Sequence, residues 1–224
     1  MRKKREFLRQ RFFQQINRVR MENLRSRISP HFTFNVLGRE INQFNGSEEV
    51  KHNLMELVKY LRRSLELTEK LSVSLQDELD FVRTYIELER GRVGEDFVAT
   101  ITVEDGLDAT RIMIPSMIVQ IPVENAIKHG LAGKDGKKEL MVYVSRETNG
   151  IRITVTDNGR GYLPQVVSAT RGTGTGLKVL YQTIQLLNTK NKSDKIRFNI
   201  TNRSDGQTGT EVSVYIPFRF SYDL

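Results

Sequence analysis

Two glycine-rich turns in the second half of the sequence have the composition of a phosphate-binding site. The first, DNGRG at residues 157–161, ends an alternating strand pattern with a carboxylate and turns on two glycines. The second, GTGTGLK at residues 172–178, opens a helical pattern. Glycine lets a backbone adopt positive φ and approach a ligand closely, and the first amides of a helix can bind phosphate. Taken alone, the first turn is more often only a hairpin turn and the second only a surface loop.

A helix with three polar residues on one face lies before these turns. In VENAIKHG, residues 123–130, Asn125, Lys128 and His129 are spaced i, i+3 and i+4. An amide oxygen is a suitable ligand for Mg²⁺, and a lysine one turn further on can meet phosphate charge. For His129 a second interpretation stays open, in which it ends the helix together with Gly130.

A histidine in the first half of the chain is a further candidate for a reactive residue. In ISPHFTFNVLGREIN, residues 28–42, apolar residues recur with helical spacing, and Pro30 directly precedes His31. Because proline cannot donate a hydrogen bond to the carbonyl of Ser26, we expect the helix to bend there. A neutral imidazole is a nucleophile at cytoplasmic pH, but a histidine on a helix is more often a structural residue.

Hydrophobic periodicity predicts which elements position these groups. Helical spacing covers residues 8–32, 54–65 and 75–88, so the first 93 residues are predicted to be all-helical. Strand alternation follows at residues 97–105, 139–147, 150–157, 195–202 and 209–218, with helices at 117–131 and 177–188. The fold class predicted is an all-α module followed by an α+β two-layer sandwich, with a boundary near residue 95.

Composition restricts the classes of function. The 224 residues contain no cysteine, which excludes disulfides, and three scattered histidines argue against a metal site built from histidine. The net charge of +8 comes from residues 1–30, which hold ten Lys or Arg against two Glu. The neutral remainder argues against a nucleic-acid partner, whereas the basic start fits a juxtamembrane segment or a solvated helix face. No apolar run is long enough to span a membrane, so we expect this segment to be soluble.

Taken in order, the asparagine helix and the two glycine turns resemble the N, G1 and G2 boxes of the GHKL (Bergerat-fold) ATPases over residues 95–218. The resemblance implies binding of ATP with Mg²⁺. Asp157 would accept a hydrogen bond from the adenine amino group, and Asn125 would hold the Mg²⁺ that bridges the phosphates. The glycines would let the chain pass the base and form the end of a lid. The nucleotide-binding residues implied are Asn125, Lys128, His129, Asp157, Gly159, Gly161, Arg171, Gly172, Thr173, Gly174, Thr175, Gly176 and Leu177.

The segment SPHFTFNVL resembles the H-box of the autolysin-sensor (LytS-like) class of bacterial sensor histidine kinases. Residues 77–97, DELDFVRTYIELERGRVGEDF, resemble the stretch that joins the helical module of this class to its ATPase domain. The resemblance implies that His31 is the phosphoacceptor. Phe32 stands where commoner kinase classes have an acidic residue, so Glu124 is a candidate base. Asn35 is a candidate for orienting water in a phosphatase reaction, or simply solvates the helix.

The resemblance also implies an organisation for the chain. Residues 1–21 would be a basic juxtamembrane or signalling helix, 22–94 the dimerisation and histidine phosphotransfer domain, 95–218 the ATP-binding domain and 219–224 a C-terminal tail. The helical domain would be an antiparallel hairpin that forms a bundle in a homodimer.

This organisation is that of a two-component kinase core on the cytoplasmic side of the membrane. It would phosphorylate His31 and pass the phosphate to an aspartate of a response regulator, with a membrane-embedded sensor region preceding it. The rival interpretations are an ATP-gated interaction module without phosphotransfer, and a serine kinase or anti-sigma factor, which would need no PHFTFN helix.

Overall fold

The structure is a computed structural model that describes residues 48–162, 175–191 and 193–222. The predictions for the H-box and for the first part of the GTGTG loop lie outside these residues. The residues concerned are His31, Asn35, Arg171, Gly172, Thr173 and Gly174. None of the described helices is both long enough and apolar enough to cross a membrane.

Two antiparallel helices open the described part of the chain. Helix α1 is Glu48–Glu69 and helix α2 is Leu75–Val93, which confirms two of the predicted helices. The side chain of Ser74 caps α2, because its Oγ accepts a hydrogen bond from the amide of Asp77 at 3.0 Å. Tyr60 of α1 stacks on Phe81 of α2 with ring centroids 4.9 Å apart, and this contact fixes the two helices side by side.

A short strand interrupts the region that was predicted to be all-helical. Strand β1, Ser72–Ser74, pairs antiparallel with strand β3, Met113–Pro115. The prediction that the first 93 residues are all-helical is therefore wrong at this point. Three residues are too few to show strand alternation, and the partner strand lies 40 residues further along the chain, so no local pattern could reveal the pairing.

The five predicted longer strands are confirmed and form one mixed sheet in the order β2-β4-β5-β7-β6. Their bounds are Phe97–Val103 for β2, Lys138–Glu147 for β4, Gly150–Asp157 for β5, Arg197–Asn202 for β6 and Thr210–Pro217 for β7. Strand β2 runs parallel to β4, and the other neighbours are antiparallel. Because β5 is the central strand and ends at Asp157, this carboxylate lies in the middle of one end of the sheet, where the strands finish.

Helices cover one face of the sheet. In β4 the side chains of Leu140, Val142 and Val144 are buried, whereas Met141 and Tyr143 are exposed, so the alternation has one inner and one outer face. Helix α4, Thr175–Lys190, packs on the inner face as part of the same hydrophobic core. This arrangement confirms the α+β class of the second half of the chain.

The inner core also includes the buried side of α2. Leu79, Val82 and Ile86 of that helix belong to the same hydrophobic cluster as the inner residues of the sheet. The helix that precedes the proposed boundary near residue 95 therefore packs on the sheet that follows it. The division of the chain into domains at this residue stays a prediction.

The helix that carries Asn125 differs from the expected α-helix. It is α-helical as α3, Gln120–Asn125, and continues as a π-helix over Ala126–Leu131. A π-helical turn is wider than an α-helical one and is frequently found at functional sites. The prediction of a regular α-helix over residues 117–131 is therefore corrected, and the irregular half is the one that faces the glycine turn.

Candidate functional site

A cavity of about 340 Å³ lies between the π-helical segment and the end of the sheet at which β5 finishes. Its volume is in the range of small-molecule binding pockets. Six of the residues predicted to bind nucleotide line it together: Asn125, Lys128, His129, Asp157, Gly161 and Leu177. The wall is completed by Pro122, Ala126, Gly130, Ala132, Val155, Arg160, Tyr162, Ile200, Thr210 and Val212.

Asp157 is the buried anionic group of this cavity. Its residue surface is only 4% exposed, and its Oδ1 accepts hydrogen bonds from the amides of Gly159, at 2.8 Å, and Thr210, at 3.4 Å. Burial raises the pKa of Asp157, and the hydrogen bonds from Gly159 and Thr210 oppose that rise. The carboxylate is thus held in one orientation at the cavity wall, where it can accept a hydrogen bond from a ligand.

Two glycines allow the π-helical segment to lie directly against this carboxylate. A Cβ atom on Gly130 would lie 2.8 Å from Oδ1 and 3.0 Å from Oδ2 of Asp157. A Cβ atom on Gly159 would overlap the carbonyl oxygen of Gly130. Gly159 is therefore buried beneath the cavity, where the absence of a side chain permits backbone contact. Sequence reasoning treated Gly130 only as the end of a helix and missed this contact.

Asn125 faces the cavity with an unsatisfied polar group. Within the described part of the chain its Nδ2 atom is buried and has no hydrogen-bond partner. Leaving such a group unpaired is costly, and a polar ligand in the cavity would remove that cost. The two ends of an amide differ only by a rotation, so the same position can present the oxygen that Mg²⁺ requires. The residue therefore fits a metal-bound phosphate ligand.

Acidic and histidine ligands for a cation do not cluster in this region. No group of three or more His, Asp or Glu side chains that could hold a metal occurs among residues 48–162, 175–191 and 193–222. A Mg²⁺ ion is usually held by few protein ligands together with the oxygens of a phosphate substrate. An ion at Asn125 would accordingly depend on oxygens brought by the nucleotide and by water.

Positive charge lines the same side of the cavity. Lys128 places its Nζ 3.2 Å from Oε2 of Glu124, and Oε1 of Glu124 accepts a hydrogen bond from Nε2 of Gln120 at 3.1 Å. Glu124 is 9% exposed and does not line the cavity. Partial burial lowers the pKa of His129, and the positive charge of Lys128 lowers it further. His129 is therefore neutral at pH 7 and can donate or accept a hydrogen bond.

Gly209 and Thr210 are site residues that sequence reasoning missed. The amide of Thr210 is a hydrogen-bond donor to Asp157, and a Cβ atom on Gly209 would overlap the carbonyl oxygen of Asp157. Gly209 also has a φ of +135°, which favours glycine. The pair forms the first two residues of the last predicted strand, 209–218. Only the β5–β7 pairing, which cannot be read from one segment, brings it beside Asp157.

The end of the second glycine loop is placed at the start of a helix, as expected. Thr175 and Gly176 begin α4, and Leu177 reaches the cavity wall. The apolar residues Val155, Ile200 and Val212 form the part of the wall nearest the sheet. The cavity therefore combines an apolar side, a buried carboxylate and a basic side, which is the combination that a nucleotide with base and phosphates needs.

Two family models match the chain. The histidine kinase model matches residues 19–97. The model of the histidine kinase-, DNA gyrase B- and HSP90-like ATPase matches residues 110–219, which contain every residue of the cavity.

Curated relatives align with most of the chain. The sensor histidine kinase YpdA of Escherichia coli is 28% identical over 202 residues, which cover 90% of this chain and 34% of that protein. The sensor histidine kinase/phosphatase LytS of Staphylococcus aureus is 32% identical over 197 residues, which cover 84% of this chain and 33% of that protein. The chain spans about a third of the length of these relatives.

A solved histidine kinase domain, from the blue-light activated histidine kinase EL346 of Erythrobacter litoralis, matches with a TM-score of 0.49 and 18% identity. The match covers 82% of this chain and 94% of that domain. The two family models and the curated relatives, taken together with the cavity built on Asn125 and Asp157, show that the chain carries a histidine kinase-type ATPase domain and is similar over most of its length to the LytS-like sensor histidine kinases.

Proposed function

We propose that the chain is the kinase core of a two-component sensor histidine kinase, which binds ATP with Mg²⁺ in the cavity and phosphorylates His31. The observation that carries the proposal is the buried carboxylate of Asp157. It is fixed by Gly159 and Thr210 at the wall of a cavity that Asn125 also lines, and the Nδ2 atom of Asn125 has no hydrogen-bond partner among the described residues.

Different residues of the cavity contact the adenine base, the phosphates and the Mg²⁺ ion. Asp157 accepts a hydrogen bond from the adenine amino group, and the apolar wall that includes Val155 and Val212 packs against the base. Lys128 and Arg160 meet phosphate charge. Asn125 holds Mg²⁺, which when bound offsets the charge that develops on the transferred phosphoryl group. The lid of the site, with Arg171 and the glycines up to Gly174, is part of the proposal.

His31 is the proposed nucleophile. A neutral imidazole nitrogen forms the new N–P bond as the bond between the γ-phosphorus and the β–γ bridging oxygen breaks, and ADP leaves. Glu124 remains the candidate base, although it is hydrogen-bonded to Gln120 and paired with Lys128. A base role predicts that Glu124→Gln slows phosphorylation without weakening ATP binding. Asn35 remains the candidate for orienting water in dephosphorylation.

The proposal extends to the partners of the chain. Residues 22–94 dimerise as a helical hairpin bundle, and the phosphate passes to an aspartate of a response regulator. The ten basic residues within positions 1–30 support a location beside the cytoplasmic face of a membrane, next to a sensor region.

Labelling with γ-³²P-ATP tests the proposed function. We expect label that is lost in acid and stable in alkali, abolished by His31→Gln and retained by the control His52→Gln. Acid-stable label would instead indicate a serine kinase. ATP binding without any label would indicate an ATP-gated interaction module.

A further inference from the structure

Glu78 is a fully buried carboxylate that the proposed chemistry does not use. It lies in the first turn of α2 and has 0% of its surface exposed. Its Oε2 accepts a hydrogen bond from the amide of Met117 at 2.9 Å. Its Oε1 accepts hydrogen bonds from the amides of Val119, at 3.1 Å, and Gln120, at 3.2 Å. Burying a charge is costly unless it is fully hydrogen-bonded, so this geometry is built around the carboxylate.

The three amides belong to the beginning of the helix that carries Asn125. The first amides of a helix have no partners within the helix and carry partial positive charge. Most helices meet this need with a local side chain, but the N-cap residue of α3, Val119, makes no side-chain capping bond. Glu78, about 40 residues earlier in the sequence, supplies the cap from α2.

The same carboxylate also stabilises a strained residue. Met117 has a φ of +69° and is the one non-glycine residue with positive φ among the residues described. Such a conformation persists only where the surroundings enforce it. The bond from the Met117 amide to Glu78 Oε2 is one such constraint, and it determines the direction in which the chain enters α3.

A second contact at the same end connects the other helix of the pair. Nε2 of Gln120 lies 3.4 Å from the hydroxyl oxygen of Tyr60 in α1 and also donates to Glu124. The N-terminus of α3 is therefore held by both α1 and α2. Asn125 follows five residues after Gln120, so a displacement of this end moves the Asn125 side of the cavity. Asp157, on β5, is held by different contacts.

We propose that Glu78 is a positioning residue: its carboxylate sets the position of the N-terminus of α3 and thereby of the metal and phosphate side of the site. Movement of α2 against the sheet is passed to Asn125 through these three hydrogen bonds. The adenine side, which depends on Asp157, is left in place. This inference rests on the proposed function, because it assigns the metal to Asn125.

The experiment compares Glu78→Gln with the matched control Glu89→Gln in the full chain. Glu89 lies in the same helix, is 1% exposed and pairs with Arg92 of its own helix. Dissociation constants for ATP are measured by calorimetry with Mg²⁺ and with EDTA. For Glu78→Gln we expect the value with Mg²⁺ to rise about tenfold, as for one lost hydrogen bond to a charge, and the value in EDTA to change less than about twofold. Both values stay at the wild-type level in Glu89→Gln.

Hydrogen exchange gives a second readout. Glu78→Gln is expected to speed exchange of the amides in residues 117–125 and not of those in residues 140–157, whereas Glu89→Gln changes neither. If Glu78→Gln does not fold, Glu78→Asp replaces it, since it keeps the charge and withdraws the carboxylate by one methylene. Unchanged Mg²⁺ dependence and exchange overturn the inference, as does an equal loss of affinity with and without Mg²⁺. Wild-type protein that binds no ATP refutes the proposed function, and the exchange comparison still decides the role of Glu78.

Discussion

Replacing Gly130 by alanine tests whether contact with the π-helical segment orients the Asp157 carboxylate. The added Cβ would lie 2.8 to 3.0 Å from Oδ1, Cγ and Oδ2 of Asp157, about half an ångström short of ordinary van der Waals contact. The carboxylate is fixed by the amides of Gly159 and Thr210, so it can escape only by lengthening those bonds. Binding groups must be placed to within about half an ångström to work well. We therefore expect a loss of about 1 to 2 kcal/mol of ATP binding, or roughly 5- to 30-fold in Kd.

Calorimetric titration with ATP measures this loss, well below the thermal unfolding temperature of the variant. Gly106→Ala is the control, because Gly106 has a φ of +81° and open space around the Cβ position. It is strained by about 1 kcal/mol and lies outside the cavity wall, so it should lower stability and leave Kd unchanged. Wild-type affinity in folded Gly130→Ala would refute the idea that this contact positions the carboxylate.

Three further predictions follow from the site. Burial raises the pKa of Asp157 above the ordinary aspartate value of about 3.9, so on acidification its carboxylate is protonated at a higher pH than that of an exposed aspartate. ATP affinity measured by calorimetry is expected to fall in that pH range, because the protonated group is a poorer hydrogen-bond acceptor. The native state holds the Asp157 proton up to a higher pH than the unfolded chain does, so the contribution of Asp157 to the free energy of unfolding falls as pH rises through that range. Asp157→Asn should remove the pH dependence that Asp157 gives to ATP affinity and to the free energy of unfolding. Gly209→Ala meets the backbone carbonyl of Asp157 at a φ of +135° and should cost about 3 kcal/mol, lowering Tm by roughly 6 to 12 °C. Gly206→Ala, with a φ of +79° and open space, is its control, and equal Tm values for the two would contradict the packing argument. The imidazole of His129 should titrate in NMR spectra below its ordinary pKa of about 6.5, and Lys128→Met should move it back up; an unchanged pKa would exclude Lys128 as a cause.

Local patterns sufficed for the elements that carry their signal within a few residues. The alternation of GIRITVTD places Asp157 at the end of a buried strand, and the structure has β5 at Gly150–Asp157. The amphipathic spacing before residue 93 likewise predicts α1 and α2. Such patterns are local because each side chain needs only its own element to choose a face.

Contacts between distant segments were beyond the sequence. The β1–β3 pairing joins Ser72–Ser74 to Met113–Pro115, and the place of Thr210 beside Asp157 follows from the β5–β7 pairing. The π-helical turn ends in a segment whose glycine must fit against a carboxylate of another strand. For Lys128, the missed contact is local and not distant. Its i, i+4 partner Glu124 was visible in the sequence, but only its role toward phosphate was considered.

The central claim is that the γ-phosphoryl group of ATP reaches His31, and mass spectrometry of the labelled chain tests it most directly. Trypsin releases residues 28–39 as one peptide, ISPHFTFNVLGR, which holds His31, Ser29 and Thr33 but neither of the other two histidines. After incubation with Mg²⁺ and ATP and handling at neutral or alkaline pH, fragmentation of this peptide by electron transfer locates the phosphate. Phosphate is expected on His31 and on neither Ser29 nor Thr33. Phosphate on either hydroxyl residue or on another histidine, or an unmodified peptide from a chain that binds ATP, would contradict it.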